Sequence, residues 1–157
     1  MAFALALHLI AAVVWVGGMI FAHMMLRPVA ASQLEPPQRL TLWVGVFKRF
    51  FPAVFLSIAT LLATGYWMVL SFYGGFDALG MHVHLMIWIG YLMMLIFLHV
   101  FFAPFRRLKQ AVAAEDWPAG AKRLAQIRML VGICLLYTSD AADEHRDVGL
   151  WGVGGAG

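Results

Sequence analysis

The sequence predicts an all-α integral membrane protein, a bundle of four helical spans built as a two-plus-two repeat, with the last span truncated. Three observations carry that prediction. The chain is 63% hydrophobic and 12% charged over 157 residues, against about 25% charged in a soluble domain, too little polar surface to cover a water-facing globule. Its first run, AFALALHLIAAVVWVGGMIFAHMML from Ala2 to Leu26, has no formal charge and exceeds the roughly 20 helical residues that cross a bilayer core. A later uncharged run, Met81 to Phe105, repeats its histidine spacing.

Span 1 covers residues 2–26 and ends at Arg27-Pro28. It lacks the basic start, short apolar stretch and small-residue cleavage motif of a signal peptide, so it is expected to be retained. The connection that follows is net basic, with Arg39, Lys48 and Arg49 against Glu35, and Pro36-Pro37 suits a turn or the first turn of a helix. Span 2 is expected over residues 50–73, with Pro52 in its first turn. Ser57, Thr60 and Thr64 are expected to bond back to helix carbonyls. Gly74-Gly75-Phe76-Asp77 reads as a short turn. Span 3, residues 81–105, stops at Pro104-Phe105-Arg106-Arg107. Asp116 ahead of Pro118 marks a helix start, and span 4 is expected from Leu124 through Ile133.

From Cys134 the composition breaks. Cys134 to Glu144 back-translates in frame to a common transposase sequencing adapter, and His145 to Gly157 has no pattern of a folded element. Residues 134–157 therefore read as an assembly scar and residues 1–133 as the one transmembrane domain. Cys134, the only cysteine, and His145 receive no functional weight.

A shift of about 76 positions brings His8, Leu9, Ile20, Phe21, His23 and Pro28 onto His84, Leu85, Ile96, Phe97, His99 and Pro104. This is the signature of a parallel repeat about the membrane normal. Both basic connections then lie on one side, which the positive-inside rule places in the cytoplasm. Met1 and the Gly74–Gly80 turn are expected outside, in a bacterial inner membrane.

His8 and His23 are separated by roughly 22 Å along a helix and about 60° in azimuth. His8, Ala12, Trp15, Met19 and His23 form one stripe; His84, Trp88, Tyr91, Leu95 and His99 form its counterpart. If the parallel spans 1 and 3 face each other, His8 meets His84 near the outside and His23 meets His99 near the inside. Ionisable groups within a span usually face a bundle interior and mark function, although a single histidine can equally serve as interhelical glue.

Two chemistries fit. Paired imidazoles ligate haem b, with His8, His84, His23 and His99 as axial candidates and Arg27, Arg106 and Arg107 near the inner pair for propionates. Imidazole with thioether selects Cu(I), and Met81-His82-Val83-His84-Leu85-Met86 places such donors at one mouth, with His8, His84, His82 and Met86 as the metal candidates. On a continuous helix His82 and His84 diverge by about 200°, so they share an ion only if the helix begins after them. Met19, Met24, Met25, Met93 and Met94 lie further in and suit packing. Gly18-x-x-x-Ala22 marks close helix packing; Trp43, Trp67 and Tyr73 fit interfacial anchoring. No phosphate loop, nucleophile with its base or zinc protease motif is present, so no catalytic residue is assigned, and the basic loops require no nucleic acid.

Several of these residues resemble the short CopD-like proteins, the copper resistance protein D domain family. They are His8-Leu9 leading to Trp15-Val16-Gly17-Gly18, Phe21, Arg27-Pro28, Arg49-Phe50-Phe51 and Val83-His84-Leu85-Met86. The resemblance implies a copper uptake or resistance role in the membrane. The chain is similar, more distantly, to the HemJ-type protoporphyrinogen oxidases, which are four-span haem proteins, but lacks their basic motif after the Trp15 region. The expectation is a metal-handling membrane protein whose partners are the lipid bilayer, a metal ion or haem, and a second copy or partner subunit. The alternatives are a haem b electron-transfer or oxidase protein and a non-catalytic membrane subunit.

Overall fold

The computed structural model describes the backbone of residues 2–72, 74–76 and 79–151 and side chains up to residue 137 within those ranges. Tyr73, Asp77, Met1 and His145, each read from sequence above, lie outside the residues or side chains described. Among the described residues every regular element is helical. α1 (Ala2–Ile20) runs through a π-helical segment (Phe21–Leu26) into α2 (Arg27–Gln33). α3 (Pro36–Phe72), α4 (Met81–Phe102), α5 (Pro104–Ala113) and α6 (Trp117–Trp151) follow. Three stretches are long and apolar enough to cross a membrane: Ala2–Gln33, Pro36–Phe72 and Met81–Ala113.

The helices outrun the apolar runs that predicted them. Span 1 does not stop at Arg27-Pro28. A proline has no N–H and its ring crowds the carbonyl four residues back; ahead of Pro28 the chain widens into the π turn, with the Arg27 N–H reaching Ala22 O. At the equivalent Pro104 the solution differs: Ala103 leaves helical geometry (φ −106°, ψ −80°) and α5 restarts at the proline. The connection expected between spans 1 and 2 is itself helical, broken only at Leu34-Glu35. α3 therefore begins at Pro36, and Pro52 falls in the middle of a 37-residue helix, not in a first turn. α6 likewise starts at Trp117, ahead of Leu124, where Asp116 Oδ1 accepts from the Ala119 N–H at 3.1 Å. It continues past Ile133 to Trp151 without a backbone break. Gly74 and Gly75 turn the chain between α3 and α4 with φ of 74° and 121°, a region open to glycine at no steric cost.

Packing follows an aromatic ladder. Trp43, Phe47, Phe51 and Phe55 recur every four residues along one face of α3. Phe97, Phe101 and Phe105 do the same on α4 and α5. Their rings meet edge to face: Phe51 with Phe97 at 5.4 Å and with Phe105 at 4.7 Å, Phe55 with Phe101 at 5.1 Å, Phe47 with Phe105 at 5.9 Å. Trp43, expected at the membrane surface, is only 4% exposed because it tops this ladder against Phe47. Trp67, at 62% exposed, is free to anchor at an interface.

α1 lies along α3. A Cβ on Gly18 would collide with the Phe50 ring, whose Cζ would be 2.8 Å away, so the small residue sets the interhelical distance. Near the Arg39 and Lys122 end of the bundle, Leu40 of α3, Leu108 of α5 and Ile127 of α6 are all but fully buried. Leu40 Cδ1 sits 3.0 Å from where a Gly120 Cβ would be. The two basic connections are thus held side by side at one end of the bundle.

Gly18→Leu should force α1 from α3 and cost about 1–3 kcal/mol. Gly45→Ala, whose added methyl meets nothing within 4 Å, should gain about 0.5–1 kcal/mol in helix stability. Thermal unfolding in detergent, read by tryptophan fluorescence, should show the melting points moving in opposite directions.

Candidate functional site

The inward stripe predicted on span 1 is present: Trp15 and Met19 are buried, and His8, Ala12 and His23 half-buried. Its counterpart on span 3 points elsewhere. Trp88 is 71% and Leu95 64% exposed, and His99 is exposed. The row that α4 turns inward is Met93, Phe97 and Val100, chosen because Phe97 belongs to the aromatic ladder. His23 therefore does not face His99. Its ring instead lies against α6, with Cε1 3.9 Å from where a Cβ on Gly132 would be.

His8 is also placed by α3 and not by α4. Its Nδ1 is 2.8 Å from Thr64 Oγ1, and Gly65 leaves space for the ring, with Cε1 3.5 Å from the position of a Cβ. Two residues on, about 200° round the helix, Tyr66 pairs its hydroxyl with that of Tyr91 on α4. At this level His8 is thus held against α3, and α3 meets α4 through the Tyr66–Tyr91 pair. Spans 1 and 3 converge lower down, where Trp15 meets Phe97 edge-on at 6.2 Å. A cavity of about 40 Å³ there is lined by Trp15, Met19, Met93 and Phe97 among others.

The hydrogen bonds specify a tautomer. Thr64 donates its hydroxyl proton to Thr60 O at 2.6 Å, so toward His8 its oxygen accepts, and Nδ1 carries the ring proton. Nε2 then holds the lone pair, the arrangement in which a ligating imidazole is oriented by a partner on its other nitrogen. On α4, His84 Nδ1 donates to the Gly80 carbonyl at 3.4 Å, which also directs Nε2 outward. α4 begins at Met81, so His82 and His84 diverge and cannot chelate one ion. His82 and Met86, four residues apart, fall on one helix face, and both are exposed. Among the described residues no group of three or more His, Cys, Asp or Glu side chains is placed to hold a metal.

The role of Thr64 was not legible beforehand. Its hydroxyl does bond back to its own helix as expected, and so does that of Thr60, to Leu56 O. The second half of its work, accepting from His8, depends on which helix lies beside span 1. The one available signal was a hydroxyl beside a glycine, Thr64-Gly65, in an apolar run.

A multi-pass, all-helical membrane protein with polar side chains inside its spans is the class that this arrangement defines. The family described as Copper resistance protein D matches residues 44–139, more than half of the chain. The chain belongs to that family and is a copper-resistance-related membrane protein. Neither the curated proteins nor the solved structures gave a match.

Replacing Thr64 by valine keeps shape and removes the acceptor for His8, leaving a half-buried N–H unpaired. The expected cost is about 1–2 kcal/mol. In a double-mutant cycle with His8→Ala, that cost should vanish once the imidazole is absent.

Proposed function

We propose that copper, as Cu(I), is the cargo of this protein and is met at its outer end by separate donor stations. The first is His8 on α1, the second is the face that His82 and Met86 share at the mouth of α4, and the third is His84, on another face of the same turns. The observation that carries the reading is the relay His8 Nδ1 to Thr64 Oγ1 to Thr60 O. It holds an imidazole within a membrane span with its ligating nitrogen unprotonated. His82 and Met86 add a nitrogen and a thioether on one face, a combination that favours Cu(I). Inward of His8, the thioethers of Met19 and Met93 share one cavity and supply soft donors on the way through.

The membrane is a bacterial inner membrane with the N-terminus outside. Arg39 of α3 and Lys122 and Arg123 of α6 are gathered at one end by the Leu40–Gly120 contact, the cytoplasmic end by the positive-inside rule. Among the described residues the Gly80 end, with His8 and His84, carries no Lys or Arg, and it faces outward.

Cu(I) binding to the purified full chain, measured by competition with a chromogenic chelator, tests this. His8→Ala should remove one binding equivalent, His82→Ala and Met86→Ala should each weaken a second, His84→Ala should remove a third, and Thr64→Val should lower affinity at His8 by about tenfold or more. Unchanged Cu(I) stoichiometry in His8→Ala and His84→Ala would overturn the proposal. So would a Soret band lost in His8→Ala, which would assign the histidine to haem.

A further inference from the structure

At the opposite end of the bundle a group of arginines has no counter-charge. His23 of the π segment packs on Gly132 of α6. Arg27 is four residues beyond His23, and Arg128 is four residues before Gly132. Because α1 and α6 run antiparallel, contact at one level brings the two guanidiniums together at the next. Arg39 precedes Leu40, which packs on Gly120 of α6 about two turns before Arg128, so it stands at the same end of the bundle. The charges of Arg27 and Arg39 both bear on Arg128. All three arginines are half-buried. Among the described residues no carboxylate forms an ion pair with any of them. Arg128 Nε is buried and makes no hydrogen bond.

Such an arrangement is unfavourable as it stands. Like charges converging in a poorly solvated site repel, and a buried charged donor without a partner carries a desolvation penalty. The π turn ahead of Pro28 and the close packing on Gly132 hold the group in place nonetheless. An anion supplies what is missing: acceptor oxygens for the guanidinium donors and negative charge for the cluster.

We propose that Arg27, Arg39 and Arg128 form a binding site for a phosphate anion at the cytoplasmic end of the bundle. The phosphodiester of an anionic lipid headgroup is the ligand whose position in the bilayer matches it. Basic pockets between spans on the cytoplasmic side recognise such headgroups, and arginine suits phosphate through its planar fork of donors. The site is independent of the copper stations, which lie at the other end.

The test is thermal unfolding of the full chain in neutral detergent with added phosphatidylglycerol, phosphatidylcholine or inorganic phosphate. Phosphatidylglycerol should raise the melting temperature in a saturable way, and phosphatidylcholine should not. Arg128→Gln and Arg39→Gln should each weaken the response about tenfold, the loss of one charge-assisted hydrogen bond. Arg107→Gln, on an exposed face of α5, should leave it unchanged. Arg39→Gln keeps the test valid if Arg128→Gln fails to fold. Equal stabilisation by millimolar inorganic phosphate, lost in the same two variants, would support the site and identify soluble phosphate as its ligand. No stabilisation by either anion, or an equal loss in Arg107→Gln, would overturn the proposal.

Discussion

Inside a bilayer, burying apolar side chains gains little, because lipid tails are as apolar as leucine. Helices must be held by packing shape and oriented contacts, and here the aromatic ladder supplies them. Phe47, Phe51 and Phe55 of α3 and Phe97, Phe101 and Phe105 of α4 and α5, each set spaced by four residues, interlock edge to face, with Trp43 tilted on Phe47. The quadrupole of each ring favours that geometry, at about 0.5–1.5 kcal/mol per pair beyond area burial. Other placements follow from it. α4 must turn Phe97 inward, so His99 turns outward; Trp43 is drawn from the surface into the stack.

The polar groups of the spans are settled by a second constraint, that each needs a partner where water is absent. Thr60 and Thr64 return their protons to their own helix, which leaves Thr64 an acceptor and makes it the orienting partner of His8. Tyr66 and Tyr91 satisfy each other across α3 and α4. Trp15 Nε1 and Arg128 Nε, both buried without a hydrogen bond, are the exceptions among the described residues, and Arg128 stands at the end of the bundle where the basic connections gather. Among the described residues the two ends thus differ in chemistry: nitrogen and sulfur donors gather at the Gly80 end, guanidiniums at the end of Arg27 and Arg128.

The proline-linked hairpins show how the repeat is realised. Each half has a long apolar helix, a proline that disturbs it near the inner end, a short extension, and a second long helix entered through proline. Pro28 and Pro104 nonetheless produce different geometry, a π turn in one case and a break in the other. The π turn shapes the approach of His23 to Gly132, and nothing equivalent brings His99 to a partner. Matched residues in a repeat thus share a level without sharing an environment.

The sequence by itself determined that the chain is helical and membrane-embedded, where its turns and prolines fall, and that Gly18 is a packing point. Charge content, apolar run length and local backbone chemistry are properties of a segment alone. The i, i+4 phenylalanines of the ladder were equally readable as a pattern, although nothing local says which stripe of a uniformly apolar helix will face inward. Only the tertiary structure decided that, because in lipid every face of such a helix is tolerated and the choice falls to the neighbour it packs against. His8 and His84 share spacing, but the contacts of His8 run to Thr64 and Gly65 of α3, and that pairing appears only when the helices are assembled.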